Sequence, residues 1–262
     1  MLYSFMSFST PNQTLAEMLE TAHRFGYDGV EPRLDSKHAH GIEVSTSVER
    51  RREIREMVEA SGVRLACLAT SINYADPSTV EEAILQTHDR IDLAADVGAL
   101  SIRVFGGRIP EGITREAAIN QLVSALAQIA EHAAERSVTI CLETHDDWCD
   151  PIHVAAVLDR VNHPAVGANW DIMHPVRRAG KTMDEAFEIL KPWIRHLHIH
   201  DCIGKDLAPI GSGEIDHRRA LELLKSINYA GFLSGEWINW EPWETHLPRE
   251  LQTMKRYEQE LS

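Results

Sequence analysis

Cysteine is scarce in this sequence of 262 residues, which contains four: Cys67, Cys141, Cys149 and Cys202. None of them forms a C-x-x-C pair, and a chain of this length does not need a disulfide scaffold to build its core. We therefore expect four reduced, buried thiols in a cytoplasmic protein.

Long apolar runs are also lacking. No stretch approaches the roughly 20 apolar residues of a membrane-spanning helix, so we expect no membrane partner. The N-terminal segment MLYSFMSFS is apolar, but it is short and has neither a basic flank nor a cleavage site. We predict a first strand here and not a signal peptide. Low-complexity segments and obvious linkers are absent, and we expect one domain over residues 1–262, close to the size of one α/β barrel of about 250 residues.

Positive charge is in deficit. The formal net charge is −14, which argues against broad electrostatic attraction to nucleic acid. No G-x-G-x-x-G motif follows the first predicted strand, so a dinucleotide-binding fold has little support.

The sequence does contain a regular alternation of short apolar runs with longer amphipathic stretches. After the N-terminal strand, the predicted strands are Tyr27–Glu31, Val63–Thr70, Ala99–Phe105, Val138–Glu143, two within Val166–Asp201, and Gly231–Trp237. The predicted helices are Thr14–Phe25, Ser47–Ala60, Pro77–Val97, Thr114–Glu135, one opened by Asp150-Pro151, one opened by a Thr182–Glu185 capping box, one starting near Asp216, and His246–Glu260. Eight strands, each followed by a helix, predict an α/β fold in which parallel units close into a (β/α)8 TIM barrel. An open doubly wound sheet is the alternative.

Four successive strands deliver a metal-ligand side chain near their C-terminal ends. These side chains are Glu143, Asp171, His198 and Glu236. The alternation of side chains along a strand points each of them inward, away from the apolar residues that face the helices. Each alone would more often be a cap, a surface carboxylate or a hydrogen-bonded core histidine. Four such groups converging without a cation would be costly to bury, so the coincidence predicts a metal site.

The motifs resemble the xylose isomerase-like TIM barrel superfamily, the sugar phosphate isomerase/epimerase and AP endonuclease family 2 group. The matching segments are L-E-T-H at Glu143, N-W-D-I-M-H at Asp171 and His174, H-L-H-I-H-D at His198, S-G-E-W at Glu236, G-Y-D-G-V-E ending in Glu31, and P-I-G-S-G-E-I-D at Pro209–Asp216. The resemblance covers nearly the whole chain. It places the active site at the C-terminal ends of the strands.

The resemblance implies one divalent cation per chain, held by Glu143, Asp171, His198 and Glu236. An oxygen-rich set with one imidazole favours Mn²⁺, with Mg²⁺, Co²⁺ or Zn²⁺ as alternatives. Glu143 and Glu236 would be the catalytic acid/base pair, and His174 would contact the substrate. A cation that chelates a carbonyl and the adjacent hydroxyl of a carbohydrate or polyol acidifies the C–H bond and stabilises an enediolate. The expected enzyme is an isomerase or epimerase.

Departures from the family pattern keep a dehydratase of a cyclic keto-polyol, such as an inosose or 3-dehydroshikimate, as the alternative. Ketose 3-epimerases carry a glutamate where this chain has Cys149, and an arginine where it has Gly204. The E-x-H spacing of Glu143 and His145 resembles that of dehydratases in the superfamily. The alternative interpretation is that His145 is an ordinary loop histidine.

Further substrate-binding candidates are Arg103, His200, Lys205 and Trp237. Arg103 shares the inward face of its strand, where it could bind a carboxylate or phosphate or form a structural salt bridge. Backbone N–H groups of the loop from Gly211 to Gly213 could bind an anion ahead of the next helix, and a flexible turn is the alternative.

Two other functions compete with this interpretation. An endonuclease-IV-like hydrolase needs extra histidines after the second, third and fourth strands. This chain has none after the third and fourth, where it has Thr70–Asn73 and Phe105–Gly107. A non-catalytic ligand-binding barrel is the other, because a fold alone does not establish activity. The resemblance is compatible with a homo-oligomer.

Overall fold

The structure, a computed structural model, describes residues 1–261. Its strands are β1 (Leu2–Met6), β2 (Gly29–Glu31), β3 (Arg64–Leu65), β4 (Leu68–Asn73), β5 (Ser101–Phe105), β6 (Thr139–Glu143), β7 (Val166–Asp171), β8 (Ile194–Ile199), β9 (Asp201–Ile203), β10 (Asp206–Ala208) and β11 (Phe232–Gly235). Its α-helices are α1 (Leu15–Phe25), α2 (Val48–Ser61), α3 (Val80–Val97), α4 (Arg115–Glu135), α5 (Pro151–Val161), α6 (Met173–Ala179), α7 (Met183–Leu190), α8 (His217–Ser226) and α9 (Trp243–Glu260).

Nine strands form one parallel sheet in the order β3-β2-β1-β11-β8-β7-β6-β5-β4. The sheet closes on itself because the chain after β2 pairs with β4: Arg33 bridges to Ala69, and the N–H of Leu34 donates to the carbonyl of Ala69 at 2.9 Å. Strands β3 and β4 together occupy the third position of the barrel. The predicted (β/α)8 barrel is confirmed, and the open doubly wound sheet is excluded.

Side-chain alternation sorts the strands into two faces, as β6 illustrates. Ile140 and Leu142 are fully buried in the apolar core, whereas Glu143 ends the same strand among the polar residues of the barrel mouth. Two helix starts follow the predicted caps, whereas α3 begins at Val80 and not at the predicted Pro77. Thr182 and Glu185 form the expected capping box at the start of α7, and the carboxylate of Asp150 accepts the N–H of Ile152 at the start of α5.

Several boundaries differ from the sequence prediction. The last helix begins at Trp243 and not at His246, because Pro242 has the backbone conformation that suits the residue just before a helix. The eighth predicted strand ends at Gly235 and not at Trp237. Helix α6 and the antiparallel hairpin β9–β10 were not predicted. Both are too short to produce a periodic pattern.

All four cysteines are buried and unpaired. Among the helices of residues 1–261, none combines the length and the apolar content needed to span a membrane.

The glycine-rich loop after β10 does bind an anion, but the anion is a side chain of the protein itself. Oδ2 of Asp201 accepts the N–H groups of Gly211 and Gly213, both at 3.0 Å, and Oδ1 accepts those of Ile215 at 3.0 Å and Cys202 at 2.9 Å. A Cβ atom at Gly213 would lie 2.2 Å from Oδ1 of Asp201, so only glycine fits there. Of the two interpretations of this loop, a free anion site and a flexible turn, the structure supports neither, since Asp201 occupies its N–H groups.

We predict that Asp201→Asn destabilises the fold by about 2–4 kcal/mol, because the amide nitrogen cannot accept the backbone N–H groups that Asp201 holds. Urea unfolding followed by circular dichroism measures the change. Asp206→Asn, an exposed aspartate of the same hairpin, is the matched control and should stay near wild type. Equal stability of the two variants would contradict the anchoring role of Asp201.

Candidate metal centre

The four predicted ligands converge at the C-terminal mouth of the barrel. Strand register brings them together. Asp171 pairs with His198 across β7 and β8, and Ser234, two residues before Glu236, pairs with His198 across β11 and β8. One potential ligand atom from each of the four predicted side chains lies within 4.8 Å of the others. This is the spacing that a single cation needs to be bound by all four.

The two ring nitrogens of His198 face different partners. Nδ1 lies 2.9 Å from Oε1 of Glu143 and 3.4 Å from Oε2 of Glu236, on the side where the ligands converge. Nε2 lies 3.0 Å from Oε1 of Glu31. Both ring nitrogens thus face carboxylates, which only accept hydrogens. With a cation bound between Glu143 and Glu236, Nδ1 would be the ligating nitrogen and Nε2 would keep its hydrogen for Glu31. This carboxylate–histidine arrangement is the usual support of a metal-binding imidazole.

Glu31 is the functional candidate whose role the sequence did not reveal. It ends β2, is fully buried, and contacts two histidines of β8: its Oε2 lies 2.7 Å from Nε2 of His196 and its Oε1 faces His198. A signal is present in the sequence, since the motif G-Y-D-G-V-E ends at Glu31. Its partner, however, is 167 residues away in the chain, and no local pattern predicts that contact.

Both carboxylate oxygens of Asp171 contact neighbouring groups. Oδ1 accepts the N–H groups of Met173 at 2.8 Å and His174 at 3.2 Å, which anchors the first turn of α6. Oδ2 lies 2.9 Å from Nε2 of His200 and 3.6 Å from Nε2 of His174. Burial alone would lower the pKa of His200, but the charge of Asp171 outweighs it and raises that pKa to about 9. His200 therefore orients a predicted ligand, and His174 lies beside it. Contact of either histidine with substrate stays a prediction.

Arg103 lies inside the barrel, as its strand parity predicted. Its Nε is 3.1 Å from Oε2 of Glu143, its Nη1 donates to the carbonyl of Thr70 at 2.8 Å, and its guanidinium lies 4.0 Å from the ring centre of Phe105. The structure thus contains the buried salt bridge that was one of the two interpretations. Binding of substrate by Arg103 stays a prediction.

The pKa values of the side chains in this centre are set mainly by the charges of their neighbours. Burial alone would lower the pKa of His198, but the carboxylates of Glu31, Glu143 and Glu236 hold it well above its ordinary value. Burial would likewise raise the pKa of Glu31 and Glu236. The histidine charges outweigh it, so the pKa of Glu31 is held well below normal and that of Glu236 falls to about 2. The carboxylates of Glu31 and Glu236 are therefore ionised at neutral pH.

These residues fit a divalent cation. Glu31, Glu143, Asp171 and Glu236 are between 0% and 9% exposed, and Arg103 is the arginine in ion-pair contact with this group. In the structure, Arg103 and the neighbouring histidines offset the charge of these carboxylates, and a divalent cation bound among them would supply the same compensation. Carboxylate oxygens with one imidazole nitrogen suit Mn²⁺, Mg²⁺, Co²⁺ or Zn²⁺.

His145 joins the mouth of the centre. Its ring lies 4.6 Å from that of His174 and 4.7 Å from that of Phe105, between centroids, and its Nδ1 is 3.2 Å from a carboxylate oxygen of Asp146. It is half-buried, and its surroundings place it beside a residue predicted to contact substrate. Its role in binding stays a prediction.

Lys205 and Trp237 have contrasting positions. Lys205 is exposed at the tip of the β9–β10 hairpin and lines a cavity together with His174. Trp237 is 1% exposed and packs against Trp240 and His246, with ring centroids 6.5 and 5.3 Å away. The structure gives Trp237 an evident packing role, and its contact with substrate stays a prediction.

Residues 19–257 match the family model described as xylose isomerase-like TIM barrel, so the chain belongs to that family. The resemblance stated from the motifs is thereby confirmed.

Relatives of this chain include a dehydratase and epimerases. The 3-dehydroshikimate dehydratase of Bacillus anthracis is 22% identical over 210 residues, which cover 79% of this chain and 74% of the relative. The solved structure of the probable 3-DHS dehydratase AsbF from Bacillus anthracis superimposes with a TM-score of 0.81 at 19% identity, covering 97% of this chain and 99% of AsbF. A D-allulose 3-epimerase from Methylomonas sp., solved with D-allulose, gives a TM-score of 0.80 at 18% identity, with coverages of 98% and 97%. At these identities the structural likeness shows the fold.

Proposed function

We propose that this protein is a divalent-metal-dependent isomerase or epimerase that moves a proton next to a carbonyl group of a sugar or polyol. The observation that carries the proposal is the convergence of Glu143, Asp171, His198 and Glu236 at the barrel mouth. We further propose that these four side chains bind the cation, with Mn²⁺ as the expected ion.

The two glutamates have the properties of an acid/base pair. When bound, the cation would polarise the carbonyl and hydroxyl oxygens of the substrate. Glu143 and Glu236 come from β6 and from the end of β11, so they approach the centre from separate strands. Each can remove or return a proton on its own side of the reacting carbon. Arg103 forms a buried salt bridge with Glu143. Glu236, at 9% exposure, is the more accessible of the two glutamates.

A dehydratase is the second candidate, and the position of His145 favours it. His145 lies against His174 at the mouth of the centre, where it could transfer a proton to a departing hydroxyl group. The relation to the 3-dehydroshikimate dehydratase of Bacillus anthracis agrees with this option.

A substrate screen separates the two candidates. Purified protein with Mn²⁺ is incubated with D-fructose, D-allulose, an inosose and 3-dehydroshikimate, and products are resolved by NMR in D2O. Isomerase or epimerase action gives an isomeric sugar with deuterium at the reacting carbon. Dehydratase action gives a product lighter by one water. Absence of turnover on a broad panel of keto-sugars and cyclic keto-polyols would count against both.

Glu31→Gln should weaken binding of Mn²⁺ by about 10- to 100-fold, because an amide supports the imidazole of His198 less well than a carboxylate does. Isothermal titration calorimetry with MnCl2 measures the dissociation constant. Glu250→Gln removes another fully buried carboxylate that bonds to Ile210 and Arg249, outside the centre, and serves as the control. Unchanged affinity in Glu31→Gln would show that Glu31 does not orient His198.

A further inference from the structure

A cavity of about 570 Å³ adjoins the candidate metal centre. It lies between α6 and the β9–β10 hairpin, the two elements added to the basic barrel. His174 connects it with the centre, since this residue lines the cavity and its Nε2 lies 3.6 Å from Oδ2 of Asp171. The Nδ1 atom of His174 is buried and has no hydrogen-bond partner among residues 1–261. A molecule in the cavity would therefore reach the ligands of the centre.

The lining of this cavity has an unusual charge. Arg177, Arg178 and Lys205 line it, and no carboxylate of the described residues 1–261 does. The chain as a whole has 40 acidic and 26 basic residues. A cavity wall with three cations is therefore unexpected in a chain with more acidic than basic residues. In such a protein a local positive cavity would attract an anion that the rest of the surface repels.

The side chain of Arg177 forms structural contacts, whereas those of Arg178 and Lys205 do not. Arg177 forms an ion pair with Glu214 and donates to the carbonyl of Gly204, and the N–H of Gly204 donates to Glu214 at 2.8 Å. These contacts connect the hairpin tip with α6 and with Glu214. Within the described part of the chain, neither the side chain of Arg178 nor that of Lys205 has a hydrogen bond or an ion pair.

We propose that this cavity binds an anionic group of the substrate, a carboxylate or a phosphate monoester, through Arg178 and Lys205. The guanidinium can form two parallel hydrogen bonds to either group, and the ammonium adds a point charge from the opposite wall. His174 then lies between the bound anion and the reacting carbons. The inference rests on the proposed function and deepens it: the substrate is an acidic or phosphorylated keto-polyol and not a neutral free sugar.

Direct binding of simple anions tests the subsite without turnover. Inorganic phosphate and malonate are titrated by calorimetry into the protein, once with Mn²⁺ and once with EDTA. Wild type should bind at least one of them in both conditions, and the preferred anion identifies the phosphate or the carboxylate class. Arg178→Gln and Lys205→Gln should each weaken that binding by about tenfold, as expected for loss of a charge-assisted hydrogen bond. Lys191→Gln, an exposed lysine outside the cavity, should have no effect.

The outcomes separate this inference from the proposed function. Binding of Mn²⁺ without anion binding, or anion binding that the Arg178 and Lys205 variants leave unchanged, would overturn the subsite and leave the metal proposal standing. Anion binding that is weakened by both variants, in a protein that takes up no Mn²⁺, would support the subsite and overturn the metal proposal. Circular dichroism of each variant verifies that the fold is intact.

Discussion

Glu143→Gln and Glu236→Gln are each expected to reduce kcat by about 10²- to 10⁴-fold, the range that a positioned general acid or base contributes. The amide has the size of the carboxylate and retains an oxygen for a cation, but it cannot take up a proton. The geometry makes this a stringent test, because both residues lie in a group of potential ligands within 4.8 Å of one another. Turnover is measured at saturating Mn²⁺, so that weaker metal binding does not imitate lost chemistry.

Glu244→Gln, an exposed carboxylate at the start of α9, is the control and should keep wild-type kcat. Deuterium exchange between substrate and solvent adds a second readout. In the proposed mechanism the two glutamates serve opposite sides of the reacting carbon, so one variant should lose exchange and the other should lose product formation with exchange retained. Near-normal kcat in either variant would remove that glutamate from the acid/base role.

His198→Ala is expected to abolish tight metal binding, with a loss in Mn²⁺ affinity greater than the roughly 10- to 100-fold loss expected when only the support of a ligand is altered. Two effects combine. The variant lacks the one imidazole in the group Glu143, Asp171, His198 and Glu236, and it leaves Glu31 without the nitrogen that lies 3.0 Å from its Oε1.

Calorimetry with MnCl2 measures this loss of affinity directly. His23→Ala, an exposed histidine of α1, is the control and should retain the dissociation constant of wild type. Because the alanine leaves a cavity in the barrel, thermal unfolding is measured in parallel with EDTA. An intact variant that binds Mn²⁺ as tightly as wild type would exclude His198 as a ligand.

The barrel was predictable because its signals are local. Capping residues such as Thr182 and Asp150 mark helix starts in the sequence itself, and apolar residues such as Ile140 and Leu142 alternate with the inward side chains of β6. The same alternation predicts that Glu143 faces the candidate site, since parity within a strand fixes the face on which a side chain lies.

The contacts that the sequence did not reveal are tertiary. Asp201 meets Gly211 and Gly213 only when the chain folds back through the β9–β10 hairpin, so the glycine loop could not be distinguished from a free anion site. The pairing of Glu31 with His198 joins distant parts of the chain. Short elements such as α6 and the hairpin have too few residues for a periodic signal, and these are the elements that border the cavity beside the centre.

Metal content of the purified protein tests the central proposal most directly. Elemental analysis after exhaustive dialysis, with and without prior incubation with MnCl2, counts divalent ions per chain. The proposal predicts about one Mn, Mg, Co or Zn ion per chain in wild type, removed by EDTA and restored by Mn²⁺, which is the stoichiometry of one closed set of four ligands. A protein that contains no divalent metal and takes up none from MnCl2 would contradict the proposed mechanism and favour a barrel that binds a ligand without catalysis.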